Sequence, residues 1–279
     1  MTLEIIPFNE RIGAEVRGVD LSRPVDPATA ARLEEAWNRH VLLLFRDQRL
    51  SDAELRRSAD WLGAASEIVM PLDRRGDKDV SIALISNILD EAGKPMGALG
   101  DGEMWFHHDN CYTAAPDKGT WLYAVELPTH GGHTLFANGY LAYEALPDRL
   151  KRAIAGRRVL RVYDWTIRER PDTSNLAGMP HFWQPAVVAH PATGRPALYV
   201  DRLMTVAIEG YEAAHSNALL DELFPYIERT DYEHVWRVGD YVLWDNRCSA
   251  YARTDFPADQ RRLLKRGKVG GEKLVAAAA

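Results

Sequence analysis

Apolar residues along this chain gather in short runs bounded by Gly, Pro, Asn and Asp, the pattern of short strands. A few longer stretches carry the i, i+3, i+4 spacing of helices instead. His40-Val41-Leu42-Leu43-Leu44-Phe45 stays apolar until Arg46-Asp47 and suits a strand buried on both faces. Further strands are expected at Val80–Ile85, Gly119–Glu126, Leu135–Ala137, Pro185–Ala189, Pro196–Val200, His234–Arg237, Asp240–Asp245 and Arg261–Val269, after strand and turn material between Pro7 and Pro24. Asp26-Pro27-Ala28-Thr29 opens a helix carrying Leu33 and Trp37, and Ser51-Asp52-Ala53-Glu54 has capping-box form and starts another, running to Leu62. Gly139–Ile154 has helical spacing that Pro147 can split in two, and Tyr211–Ile227 brings Leu219, Leu220, Leu223 and Phe224 to one core-facing side. Asn87–Glu103 and Arg170–Met179 read as loops, either of which could cover a substrate. Many short strands with few helices predict a mainly β fold with flanking helices, a jelly-roll barrel. A doubly wound sheet is disfavoured, because strands and helices do not alternate regularly. With no repeat or linker visible, residues 1–279 are expected to form a single domain.

Composition narrows the class without naming a chemistry. At 279 residues, 46% hydrophobic and 27% charged, the chain can bury a sizeable core. A net charge of −6 argues against nucleic acid as the main partner. No apolar run is long enough to span a bilayer, and Met1–Pro7 lacks the basic start and apolar core of a signal peptide. Two cysteines, Cys111 and Cys248, make a disulfide framework improbable and favour a cytoplasmic location. The expected partner is a small molecule; association into a homo-oligomer is left open.

Trp105-Phe106-His107-His108-Asp109-Asn110-Cys111 carries the first chemical signal. Run as a strand, it puts His107 and Asp109 on one face and His108 on the other. One imidazole and one carboxylate side by side are two of the three ligands of the facial triad in non-haem Fe(II) oxygenases. A lone His-x-Asp is also an ordinary buried or surface pair, so the third ligand must come from elsewhere.

Three stretches in order then carry a resemblance: Trp105 to Asp109, Gly131-Gly132-His133-Thr134-Leu135-Phe136, and Gly239-Asp240 through Trp244-Asp245-Asn246-Arg247. From Gly13 to Arg266 the chain resembles the taurine dioxygenase and 2,4-dichlorophenoxyacetate dioxygenase family. The resemblance implies a double-stranded β-helix (a cupin-like jelly roll) and a 2-oxoglutarate-dependent dioxygenase using Fe(II) and O2. It also implies oxidation, with hydroxylation as the leading expectation, of a C–H bond in a small organic substrate, with release of succinate and CO2. His107 and Asp109 match the metal ligands, and Thr134 matches a threonine that contacts 2-oxoglutarate. Arg262 matches the arginine that pairs with the distal carboxylate of 2-oxoglutarate, a task suited to the guanidinium fork. Arg266 matches a position that in some members meets an anionic group of the substrate. The plain alternative for Arg261, Arg262, Lys265 and Arg266 is a solvated edge strand. Glu103 stands where the taurine enzyme has an asparagine, which argues against taurine as substrate.

Tyr251 is the departure. Family members place a histidine seven residues after the tryptophan of Trp-Asp-Asn-Arg, and here that position is tyrosine, with no gap that would rescue a histidine. Three outcomes stay open. Tyr251 binds iron as a phenolate, which favours Fe(III); or it turns aside and leaves His107 and Asp109 as a two-ligand site; or turnover is lost and the pocket only binds a ligand. Among the other candidates, His108 is expected in packing or a hydrogen bond, His130 and His133 at the surface, and His190 at a strand end. Cys111 and Cys248 could approach each other near the metal.

Overall fold

The computed structural model describes residues 2–66, 81–99, 104–163 and 173–278. Two sheets organise it. The larger runs, in spatial order, through Glu4–Pro7, Ala14–Arg17, Leu42–Phe45, Tyr241–Asp245, Asp117–Glu126, Leu263–Gly271, Ala83–Ser86 and Ala98–Leu99. The smaller orders Tyr232–His234, Thr134–Asn138, Ser249–Arg253 and Met104–His107. Their facing sides share one core: Leu42, Leu44, Leu122, Val242, Trp244 and Leu264 from the larger sheet meet Phe136 and Tyr251 from the smaller. Side chains alternate across a strand, so Leu43, Phe45, Trp121 and Leu243 face the other way. There they pack on Leu33 and Trp37 of the Pro27–His40 helix. That double burial is why His40–Phe45 reads as an unbroken apolar run. The outer side of the smaller sheet buries Phe106, Ala137, Ala250 and Ala252 against Leu150 and Ile154 and against Leu219, Leu220, Leu223 and Phe224 of the Ala213–Ile227 helix. Each fully buried Leu or Phe contributes roughly 1.5–3 kcal/mol. The result is the jelly-roll barrel with flanking helices that the strand pattern predicts.

Local signals hold well where capping chemistry is strong. Asp26 accepts from the Ala28 and Thr29 N–H groups at the start of Pro27–His40, and the Ser51/Glu54 capping box is complete. That second helix stops at Arg57, short of Leu62. Pro147 does divide the next helical stretch, into Gly139–Glu144 and Asp148–Ile154. Several strand expectations need correction. His234–Arg237 shifts to Tyr232–His234, because the chain turns at Gly239 (φ 85°) while the Asp240 carboxylate accepts from the Arg237 N–H. Pro185–Ala189 divides into His181–Pro185 and Val187–Ala189, which pair in different sheets. Arg158–Val162 and Thr205–Ile208 are strands the pattern did not single out. The basic stretch is no edge strand: Leu263–Gly271 lies between Asp117–Glu126 and Ala83–Ser86. The expected strand at Val80–Ile85 is Ala83–Ser86; residue 80, parts of both expected loops (100–103 and 170–172) and Glu103 lie outside the described residues. Among the described residues no helix is long and apolar enough to cross a membrane.

Candidate active site

The Met104–His107 strand ends at His107, so Asp109 sits in the following turn, beside Asn110 with its positive φ of 51°. His107 and Asp109 nevertheless come together. The His107 Nδ1 atom lies 2.8 Å from the Trp105 carbonyl oxygen, a contact that fixes the ring and its tautomer and leaves Nε2 for a ligand. Burial pushes His107 below the usual imidazole range, keeping it neutral as a metal ligand must be. Asp109 is equally well held. Its Oδ2 accepts from the Thr120 hydroxyl at 2.7 Å, and Thr120 is itself fixed by Asn246 Nδ2 at 2.8 Å. Burial alone would raise the Asp109 carboxyl. Lys268, Arg266, His107 and the Thr120 bond outweigh burial and hold it well below the ordinary carboxylate range.

Tyr251 completes this corner. It lies directly across the strand ladder from His107, with ring centroids 4.2 Å apart, and its hydroxyl donates to Asp109 Oδ1 at 3.2 Å. Burial, and then the charge of Asp109, push the phenol well above its usual range, so the hydroxyl is a neutral donor. Arg266 Nη1 stands 3.6 Å from the same carboxylate oxygen. A metal here would meet an imidazole nitrogen, a carboxylate oxygen and a phenol oxygen, a hard donor set that suits iron.

Beyond Tyr251 opens a narrow cavity of about 30 Å³ whose wall includes Thr134, Tyr251, Arg253, Arg262 and Arg266. The Thr134 hydroxyl is oriented by Trp236 Nε1 at 3.0 Å. Arg262 is 2% exposed. One of its terminal nitrogens donates to the Gly132 carbonyl at 2.9 Å, and its Nε has no hydrogen-bond partner among the described residues. Gly132 has φ 64°, and a Cβ there would lie 2.8 Å from Arg262 Nε, which gives the paired glycines a packing reason. Burial, and then the nearby Arg253, push Arg262 down to about 9. Alternation along the strand turns Arg262, Leu264 and Arg266 inward, while Arg261 pairs with Glu126 and Lys265 with Asp52 on the outside. A buried guanidinium without a carboxylate is costly, and an entering acid removes that cost. Of the six residues singled out from the sequence, Thr134, Tyr251, Arg262 and Arg266 line the cavity, and His107 and Asp109 adjoin it through Tyr251 and Arg266. Thr120, Asn246, Trp236 and Arg253 were missed, because only cross-strand pairing brings them there.

Two other polar clusters are structural. His108 points away, as alternation requires, to Asp201 at 2.9 Å; Asp201 also pairs with Arg161, which donates to Cys111 Sγ. His190 Nε2 contacts Asp245 at 2.9 Å next to Cys248, the only trio of His, Cys or acidic side chains close enough to hold a metal among the described residues. Its capacity is used up: Arg247 takes both Asp245 oxygens, and His190 Nδ1 accepts from the Thr193 N–H. Each cysteine has its own surroundings and stays a free, buried thiol, so the expected approach of the pair does not occur. His133 contacts Glu233 and His130 contacts Thr129, both at the surface.

Comparison with known proteins gives the family. The profile of the family described as "Taurine catabolism dioxygenase TauD, TfdA family" matches residues 4–267. Pentalenolactone F synthase of Streptomyces avermitilis is 32% identical over 91% of this chain and 90% of its own. An (S)-phenoxypropionate/alpha-ketoglutarate-dioxygenase of Sphingobium herbicidovorans is 30% identical over 96% and 95%. The crystal structure of a taurine dioxygenase from Burkholderia xenovorans superposes with a TM-score of 0.83 at 26% identity, covering 99% of this chain and 92% of that one. The chain belongs to the TauD/TfdA family and is an Fe(II)- and 2-oxoglutarate-dependent dioxygenase.

Proposed function

We propose that the whole chain, residues 1–279, is one oxygenase unit that oxidises a C–H bond of a small anionic substrate, with His107, Asp109 and Tyr251 holding the iron. The observation that carries this reading is that Tyr251, which donates to Asp109, lines the same narrow cavity as Arg262, a buried guanidinium with no carboxylate partner among the described residues. The 3.2 Å between the phenol oxygen and Asp109 Oδ1 is close to the spacing of neighbouring ligands on one ion, about 3 Å for bonds near 2.1 Å. A second reading has its own support: the same contact is a hydrogen bond from a neutral phenol, which would leave His107 and Asp109 as a two-ligand site. Two buried, unpaired thiols fit a reducing, cytoplasmic setting.

When bound, iron with the oxo acid and O2 supplies the oxidising power, and succinate and CO2 are the by-products. The protein's own residues do the rest. Trp105 O and Thr120 fix the two firm ligands in orientation before any metal arrives. Thr134 and Arg262 bind the far carboxylate of 2-oxoglutarate, the threonine as a hydroxyl donor held by Trp236 and the arginine as a fork. Arg266, beside Asp109, offers its guanidinium to an anionic group of the substrate and so holds the reacting carbon near the iron. An aryloxy acid of the kind named in the Sphingobium relative meets these requirements.

The test is succinate formation by the Fe(II)-loaded chain with 2-oxoglutarate and a panel of small carboxylates, sulfonates and sulfate esters. Substrate-dependent succinate is expected. Its absence across the panel would support a pocket that binds without turnover. The spectrum of the Fe(III)-loaded protein then separates the two readings of Tyr251: a visible phenolate charge-transfer band means coordination, a colourless protein the two-ligand site.

A further inference from the structure

Resting on the reading that His107 and Asp109 hold the iron, we infer that Lys268 sets the oxidation state of that iron: its buried ammonium charge raises the Fe(III)/Fe(II) potential and keeps the resting metal ferrous. Lys268 is 3% exposed and lies opposite Thr120 in the strand ladder, so the two side chains share one face. Thr120 is the residue whose hydroxyl bonds Asp109 Oδ2. The Lys268 Nζ atom stands 3.4 Å from Asp117 Oδ2, and that same oxygen accepts from Asn110 Nδ2 at 2.6 Å. Asn110 is the chain neighbour of Asp109, so Asp117 ties the ammonium to the turn that carries the iron-binding carboxylate. Burial pushes Asp109 up, and Lys268 leads the charges that hold it down; its field reaches that carboxylate.

The formal charges give a lysine its use here. Among the described residues this corner buries two carboxylates, Asp109 and Asp117, against two cations, Arg266 and Lys268. A phenolate at Tyr251 adds a third anion. Anions around a metal stabilise its higher charge, and a fixed cation does the reverse. The couple moves one electron, which Fe(III) takes up to become Fe(II), so a nearby positive charge favours the ferrous side. Salt screens such a buried field little. Lys268 thus works in either reading of Tyr251 and counts most where the phenolate is a ligand.

The experiment is a mediated redox titration of the iron-loaded full chain, followed by the electron paramagnetic resonance of Fe(III). It compares wild type with Lys268→Met, Lys268→Arg, Asp117→Asn and the Lys268→Met/Asp117→Asn double variant. In Lys268→Met the ferric-to-ferrous ratio at a fixed applied potential should rise about tenfold, a midpoint lower by about 59 mV for one electron. Lys268→Arg should restore most of that, and Asp117→Asn, which frees the ammonium of its counter-charge, should raise the midpoint. If Lys268→Met does not fold because Asp117 is left buried and unpaired, the double variant is read in its place, with a smaller fall expected. A midpoint equal to wild type in the variant read overturns the inference. Shifts of the same sign in Lys268→Met and Asp117→Asn also overturn it, as a general disturbance of the turn. So does a fall in Lys268→Arg as large as in Lys268→Met, which leaves the lysine a packing role. Wild-type iron affinity and midpoint in His107→Ala would instead take away the iron site itself, and the role of Lys268 with it.

Discussion

Tyr251 faces His107 directly across the strand ladder, and its hydroxyl reaches around to the Asp109 carboxylate. In the proposed reading the phenol holds the third corner of a triangle whose other two, an imidazole and a carboxylate, are the iron ligands. Replacing Tyr251 with His supplies a neutral nitrogen that binds Fe(II) without losing a proton. Fe(II) affinity should rise roughly tenfold or more, and any phenolate band of the Fe(III) form should vanish in both Tyr251→His and Tyr251→Phe. Metal titration and the absorption spectrum check this; a band that persists in Tyr251→Phe would mean another phenol is the ligand.

Thr120 does not touch the metal corner except through Asp109, so Thr120→Val isolates the value of a fixed carboxylate. The variant keeps the size of the side chain and removes the 2.7 Å bond to Oδ2. Iron affinity should fall about 10- to 100-fold, measured by competition with a chelator. Affinity equal to wild type would show that Asp109 is positioned by the turn alone.

In the proposed reading Arg262 serves an entering carboxylate rather than the fold. Arg262→Met removes a buried cation with no carboxylate partner among the described residues, together with the bond to Gly132. Ligand-free stability in denaturant should therefore be unchanged or about 1–2 kcal/mol higher, while stabilisation by added 2-oxoglutarate is lost. A clear loss of ligand-free stability would instead mark Arg262 as part of the framework.

Acid should unfold the protein through two buried carboxylates. Asp201, beside Arg161 and His108, and Asp245, beside Arg247 and His190, are fully buried. Burial opposes their ionisation, but Arg161 and Arg247 respectively prevail and bring each down to about 2. A folded value below the unfolded one, near 3.9, means that the unfolded chain binds the proton more readily. Their contribution is complete above about pH 4 and is lost as pH falls from there toward 2, about 2–3 kcal/mol for each. Asp201→Asn, which strands Arg161, should cost about 3–5 kcal/mol at neutral pH and flatten the acid limb of a stability-against-pH curve. An acid limb unchanged in that variant would place the titration elsewhere.

The sequence alone determined which side chains could do the chemistry. The His-x-Asp pair, the tyrosine after Trp244-Asp245-Asn246-Arg247, and the arginines at 262 and 266 stand at fixed spacings. The two-residue period of a strand already says that Arg262 and Arg266 share a face and that His108 turns from His107. It could not say which strand lies beside which, since pairing joins residues far apart in the chain and depends on the burial of whole sheets. Tertiary structure therefore decided that the basic strand is interior rather than an edge, and that Tyr251 touches Asp109. It also brought Thr120, Trp236 and Arg253 to the site, each through a partner more than ten residues away. Local spacing sets the direction of a side chain; only the packed barrel sets what that side chain meets.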